Sequence, residues 1–66
     1  MEDIIIKNIV IIHKLNEYNY DFQDENGVIK NISFPYPINI ELGSKGDIIY
    51  KFNKLYDRIY FKLKEE

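Results

Sequence analysis

The stretch Tyr18–Phe34 constrains this chain more than any other. Tyr18, Tyr20 and Phe22 alternate with Asn19, Asp21 and Gln23, the period-two signature of a strand with one buried face. Asp24-Glu25-Asn26-Gly27 follows. Asn tolerates a left-handed backbone and Gly has no Cβ to forbid positive φ, so Asn-Gly between β-rich runs marks a reversal. Val28, Lys30, Ile32 and Phe34 then alternate with Ile29, Asn31 and Ser33. The pattern predicts a β-hairpin with its tip at Asp24–Gly27.

The flanking segments also favour sheet. Ile4–Leu15 contains Ile4, Ile5, Ile6, Ile9, Val10, Ile11 and Ile12. β-branched residues lose rotamer freedom in a helix and fit a pleated surface, so this run predicts one long strand. Because it is apolar on both faces, it should be central or should curl across two sheets. Asn16 and Glu17 form the turn before the hairpin. Phe34-Pro35-Tyr36-Pro37 predicts a kinked, polyproline-like link, since each Pro lacks a donor and pushes its predecessor towards extended geometry. Ile38, Ile40 and Leu42 alternate with Asn39 and Glu41 as a short strand. Gly43–Gly46 is a turn, not a phosphate loop, because its spacing and its following Asp47 do not fit that motif. A strand follows over Ile48–Phe52.

The C-terminus carries two patterns. Phe52, Leu55, Tyr56, Ile59, Tyr60 and Leu63 fill a helical stripe, with Asn53 as N-cap. Arg58–Lys64 alternates as a strand with Ile59, Phe61 and Leu63 inside. Its Ile, Tyr and Phe content favours sheet, and a helix would expose Phe61. The strand is the preferred reading, and a helix at about 53–64 is the alternative. The expected core is Ile9, Ile11, Tyr20, Phe22, Ile32, Ile40, Ile48, Tyr50 and Ile59.

With 66 residues and no Cys, the chain forms one domain, 1–66, held by apolar packing or self-association and not by disulfides or thiolate metal sites. Hydrophobic residues make up 45% of it, enough to supply that packing. The expected class is all-β: a small antiparallel barrel of five or six strands with turn signals every 8–12 residues. The order is a long first strand, an aromatic strand, Asp-Glu-Asn-Gly, a return strand, and then Gly46-Asp47-Ile48-Ile49-Tyr50. This layout resembles small OB-fold and SH3-like barrel modules. The link Pro35–Pro37 is too short for the helix that many OB-folds carry there, which keeps the SH3-like form open. Fold resemblance does not license function.

Catalysis is not expected. There is one His, His13, and the hydroxyl nucleophiles are Ser33 and Ser44, with no local base motif. A calcium loop would need a ligand where Phe22 stands. No cofactor or metal is expected. The N-terminus opens with Glu2 and Asp3, the wrong sign for a secretory leader. Ile4–Ile12 is broken by Lys7 and Asn8 and falls short of the ~20 residues of a membrane span. The expected location is the cytoplasm.

Charge is uneven within a net −2. Acids dominate up to Ser33, and bases dominate from Lys45 to Lys64. Two binding functions follow. The preferred one is a non-catalytic protein-binding module, an adaptor or an inhibitor of the small phage-encoded kind that mimics nucleic-acid charge. It would use Tyr18, Tyr36 and the acidic tip Asp21, Asp24 and Glu25, because tyrosines beside charges are typical interface anchors. Self-association through a strand edge belongs to the same class. The alternative is a single-stranded nucleic-acid binder using Lys51, Lys54, Tyr56, Arg58, Tyr60 and Lys62, where bases alternate with stacking rings.

Overall fold

The computed structural model describes residues 3–52 and 57–64. They form one antiparallel sheet of five strands in the order β3-β2-β1-β4-β5. The strands are β1 (Asp3–Lys14), β2 (Asn19–Gln23), β3 (Ile29–Ser33), β4 (Lys45–Phe52) and β5 (Asp57–Leu63). No helix is present among the described residues, so none there is long and apolar enough to cross a membrane. The all-β expectation holds with five strands. The sheet is not closed: β3 and β5 are its two edges and make no contact with each other.

β1 is central and serves two neighbours. Its N-terminal part pairs with β4 from Asp3↔Lys51 to Val10↔Lys45, and its C-terminal part pairs with β2 from Val10↔Gln23 to Lys14↔Tyr20. The register slips twice, between Ile6 and Ile9 and between Ile11 and His13. Each slip changes which alternate residues face the core. Ile4 and Ile6 lie opposite Tyr50 and Ile48, whereas beyond the first slip Ile9 and Ile11 are the fully buried residues. The inward set therefore changes phase at a bulge, while Ile5 and Val10 keep the other face apolar as well. Asn8 sits at that bulge with φ 58°, the only non-glycine residue at positive φ among those described.

The hairpin forms as the alternation predicts. Tyr20 pairs with Ile32 and Phe22 with Lys30. Gly27 at φ 83° closes the tip, with its amide donating to the Asp24 carbonyl at 3.0 Å. The core comprises Ile9, Ile11, Tyr20, Phe22, Ile32, Phe34, Ile40 and Ile48. Tyr50 and Ile59 pack against it half-buried, together with Ile6, Ile38 and Phe61. Phe34, beyond the expected set, is buried edge-on to Tyr20, with ring centroids 6.0 Å apart.

The preferred C-terminal strand forms, and two other readings need correction. The alternative helix does not form over Asp57–Leu63, which is strand β5, with Phe61 opposite Ile48 and Tyr60 opposite Ile49. Cross-strand packing of β-branched and aromatic residues outweighs the helical stripe there. The rest of that stripe, with the reversal at Asn53, lies outside the described residues. The second correction is Ile38–Leu42, which pairs with no strand. Its apolar side chains do what the alternation implies, since Ile40 is buried and Ile38 half-buried. Its backbone bonds elsewhere. The Tyr20 hydroxyl donates to the Ile38 carbonyl at 2.5 Å and accepts from the Ile40 amide at 3.1 Å, while the Ile38 amide donates to the Glu17 carbonyl at 2.9 Å. The segment is thus a plug over the core, held by the Tyr20 hydroxyl and the Glu17 carbonyl.

Two stability predictions follow. A Cβ on Gly46 would lie 2.3 Å from the Lys62 carbonyl oxygen and 2.8 Å from the Phe61 ring. Backbone cannot yield as a flexible side chain would, so Gly46→Ala should lower the urea unfolding free energy by about 1–3 kcal/mol. Unchanged stability would show that β4 and β5 do not approach this closely. Tyr20→Phe leaves the Ile38 carbonyl and the buried Ile40 amide without their partner. It should cost about 1–3 kcal/mol and speed amide exchange at Ile40 more than at the β2–β3 ladder.

Candidate binding surfaces

The acidic residues of the hairpin each have a partner within the chain. Asp24 Oδ1 accepts from the amides of Asn26 and Val28, both at 2.9 Å, and its Oδ2 lies 3.7 Å from Lys30 Nζ. This is the turn chemistry by which Asp stabilises a reversal. Glu25 Oε2 accepts from Asn8 Nδ2 at 3.1 Å. Asp21 Oδ1 accepts from Asn31 Nδ2 at 3.0 Å, and its Oδ2 lies 3.5 Å from Nδ1 of the exposed His13. Tyr18 is exposed at the far end of β2, about 20 Å from the tip at strand rise. Its carbonyl accepts from the Phe34 amide. Tyr36 belongs to another place: its hydroxyl donates to the Ile59 carbonyl at 2.8 Å. Burial, and then the neighbouring Tyr60, hold the Tyr36 phenol above its usual range, so it remains a donor at neutral pH. The structure does not gather these five residues into one patch.

The basic candidates lie on β4 and β5. Register places Asp3, Lys51 and Arg58 in one outward row, Ile5, Ile49 and Tyr60 in the next, and Asp47 opposite Lys62 in a third. Arg58 Nη1 donates to the Tyr60 hydroxyl at 3.0 Å. Lys54 and Tyr56 lie outside the described residues. Lys51, Arg58 and Lys62 thus surround a single ring. The outward face of β2 and β3 carries Asn19, Asp21, Gln23, Ile29, Asn31 and Ser33, with no aromatic, because Tyr20, Phe22 and Phe34 are buried. No group of three or more metal-ligating side chains occurs among the described residues.

One surface was not foreseen. The Lys64 amide donates to the Lys45 carbonyl at 2.9 Å. In an antiparallel ladder bonded and non-bonded pairs alternate. Tyr60 and Lys62 therefore bond towards β4, and Ile59, Phe61 and Leu63 turn their N–H and C=O groups to the open edge. The Tyr36 hydroxyl already occupies the Ile59 carbonyl. Beside the edge runs a groove of about 410 Å³ lined by Ile38, Ile40, Glu41, Ser44, Phe61 and Leu63, with Leu63 55% exposed. The signal in the sequence is the alternation of Arg58, Lys62 and Lys64 with apolar residues, since lysines are typical of edge strands.

The tip carboxylate gives a pH prediction. The Val28 amide chiefly, offset in part by burial and helped by the Asn26 amide and Lys30, holds Asp24 below its ordinary value of 3.8. A carboxylate with a lowered folded pKa stabilises the fold above its unfolded pKa and loses that contribution as pH falls through the folded value. Thermal stability should therefore fall below pH 4 or so, and Asp24→Asn should flatten that fall. An identical acid limb in the variant would remove Asp24 from the hairpin's stability.

The chain matches no protein-family model, no curated protein and no solved structure.

Proposed function

We propose that this chain is a non-catalytic protein-binding module, an adaptor or an inhibitor, that docks its partner through the open β5 edge and the groove beside it. The observation that carries this reading is the edge itself. Phe61 and Leu63 offer backbone donors and acceptors next to an apolar groove. Adding a strand to an exposed edge is a common mode of peptide recognition, with the main chain supplying affinity and side-chain pockets supplying specificity. Of the residues chosen from sequence, Tyr36 borders this surface. The acidic set Asp21, Asp24 and Glu25 supports the hairpin and its contact with Asn8, and its negative charge discourages nucleic acid there.

The fold reading that accompanies this is an opened small barrel. In OB-type modules the first strand pairs with both the second and the fourth, and the third closes onto the fifth. The order β3-β2-β1-β4-β5 supports that form over the SH3-like one, with the closing pair left open. Single-stranded nucleic acid is the second reading, favoured by Lys51, Arg58 and Lys62 around Tyr60. Sites of that kind use several stacked rings along a basic groove, and the outward face of β2 and β3 offers none.

Purification and pull-down from the native host, with and without nuclease, separate the two. The protein-binding reading expects a low 260/280 absorbance ratio and a stoichiometric protein partner retained after nuclease. Lys51→Glu on the outward face should leave that partner bound. Loss of every partner on nuclease treatment, with binding that weakens steeply with salt and with Lys51→Glu, would overturn it.

A further inference from the structure

The β5 edge specifies more than the addition of some strand. Side chains alternate between faces along a strand, and a strand added beside β5 inherits that alternation. On one face it would lie next to Ile59, Phe61 and Leu63, with Ile38 and Ile40 in the adjoining groove. On the other it would lie next to Arg58, Tyr60, Lys62 and Lys64. Lys62 makes no ion pair among the described residues and is exposed. Neighbouring strands favour opposite charges side by side and disfavour like charges. We infer that the β5 edge takes an extended segment of a partner protein in which acidic and apolar residues alternate, with the apolar set entering the groove and the carboxylates lying over Lys62. The inference rests on the reading of β5 as the docking edge.

Charge and pattern argue against a second copy of this chain as the occupant. Pairing β5 with β5 would crowd Arg58, Lys62 and Lys64 of one copy against the same like charges of the other. The other edge, β3, carries Ile29, Asn31 and Ser33 on one face and Lys30 with the buried Ile32 on the other, with no carboxylate for the lysines. The Tyr36 hydroxyl on the Ile59 carbonyl limits the docked segment to the Phe61–Leu63 end of the edge. That short pairing length implies modest affinity from a peptide alone.

The test uses the full chain, labelled for amide NMR, and three capped octapeptides: alternating Glu and Val, alternating Lys and Val, and the Glu–Val peptide with a central Pro. The Glu–Val peptide should shift the amides of Phe61 and Leu63 and slow their exchange, more weakly as salt rises. The Lys–Val peptide and the Pro variant should do neither. Lys62→Glu, an exposed position whose folding the same spectra report, should weaken Glu–Val binding about two- to five-fold. Equal binding of the Glu–Val and Lys–Val peptides would overturn the inference, as would shifts centred away from β5 or no response at millimolar peptide. If the peptide series fails while a host protein is still retained after nuclease, the acidic–apolar specificity falls and the protein-binding reading stands. If both fail, both fall.

Discussion

The extra residue at Asn8 is the constraint on which the sheet depends. Sheet side chains have period two, so a strand that met β4 and β2 without a slip could turn either Ile6 or the pair Ile9 and Ile11 to the core, but not all three. The slip between Ile6 and Ile9 lets Ile6 pack against the same core that buries Ile9 and Ile11. It requires a left-handed backbone, which Asn tolerates better than other residues with a side chain. Its own polar groups then hold the bulge in place. The Asn8 amide donates to Asp47 Oδ1 at 3.0 Å, its side-chain amide donates to Glu25, and its side-chain oxygen accepts from Lys64 Nζ. One residue therefore ties the tip of the first hairpin to the end of the second, across a sheet whose edges never meet.

Sequence patterning made the hairpin, the central place of β1 and most of the core legible, because each rests on local alternation and turn chemistry. What it missed depends on distant partners. The run Ile4–Ile12 reads as apolar on both faces, and it is, but which of its isoleucines meet the core depends on a change of phase that only the register against β4 and β2 reveals. Ile38–Leu42 alternates like a strand, yet its backbone bonds to the Tyr20 phenol, the Glu17 carbonyl and the Ser44 amide and not to a ladder. The acidic tip is plain in the sequence, but nothing local says that Asn8, Asn31 and the turn amides occupy those carboxylates. The open edge of β5 was the least visible, since whether a strand ends up paired or open is a property of the whole sheet.

The segment after β3 shows how a small chain covers an open mouth without another strand. An extended backbone buried away from a ladder still needs its donors and acceptors satisfied. Tyr20 supplies one of each from a single hydroxyl while its ring fills the core. At the other side Tyr36 places its hydroxyl on the carbonyl of Ile59 and its ring 6.0 Å from that of Phe34. The two tyrosines join the plug to both halves of the sheet, and no buried side-chain polar atom lacks a partner among the described residues.

The order of the strands in space also sets an order in time. The hairpins β2–β3 and β4–β5 close over short connections, which takes microseconds. β1 can meet β2 early, but its pairing with β4, from Asp3↔Lys51 to Val10↔Lys45, waits until the second half of the chain has been made. Until that pairing forms, the isoleucines of β1 lie along an unpaired strand edge, the kind of surface that recruits other chains. The kink at Asn8, with the Lys7 charge beside it, interrupts that edge in its middle. A feature that sets the phase of the finished sheet thus also denies the unfinished one a long, flat template.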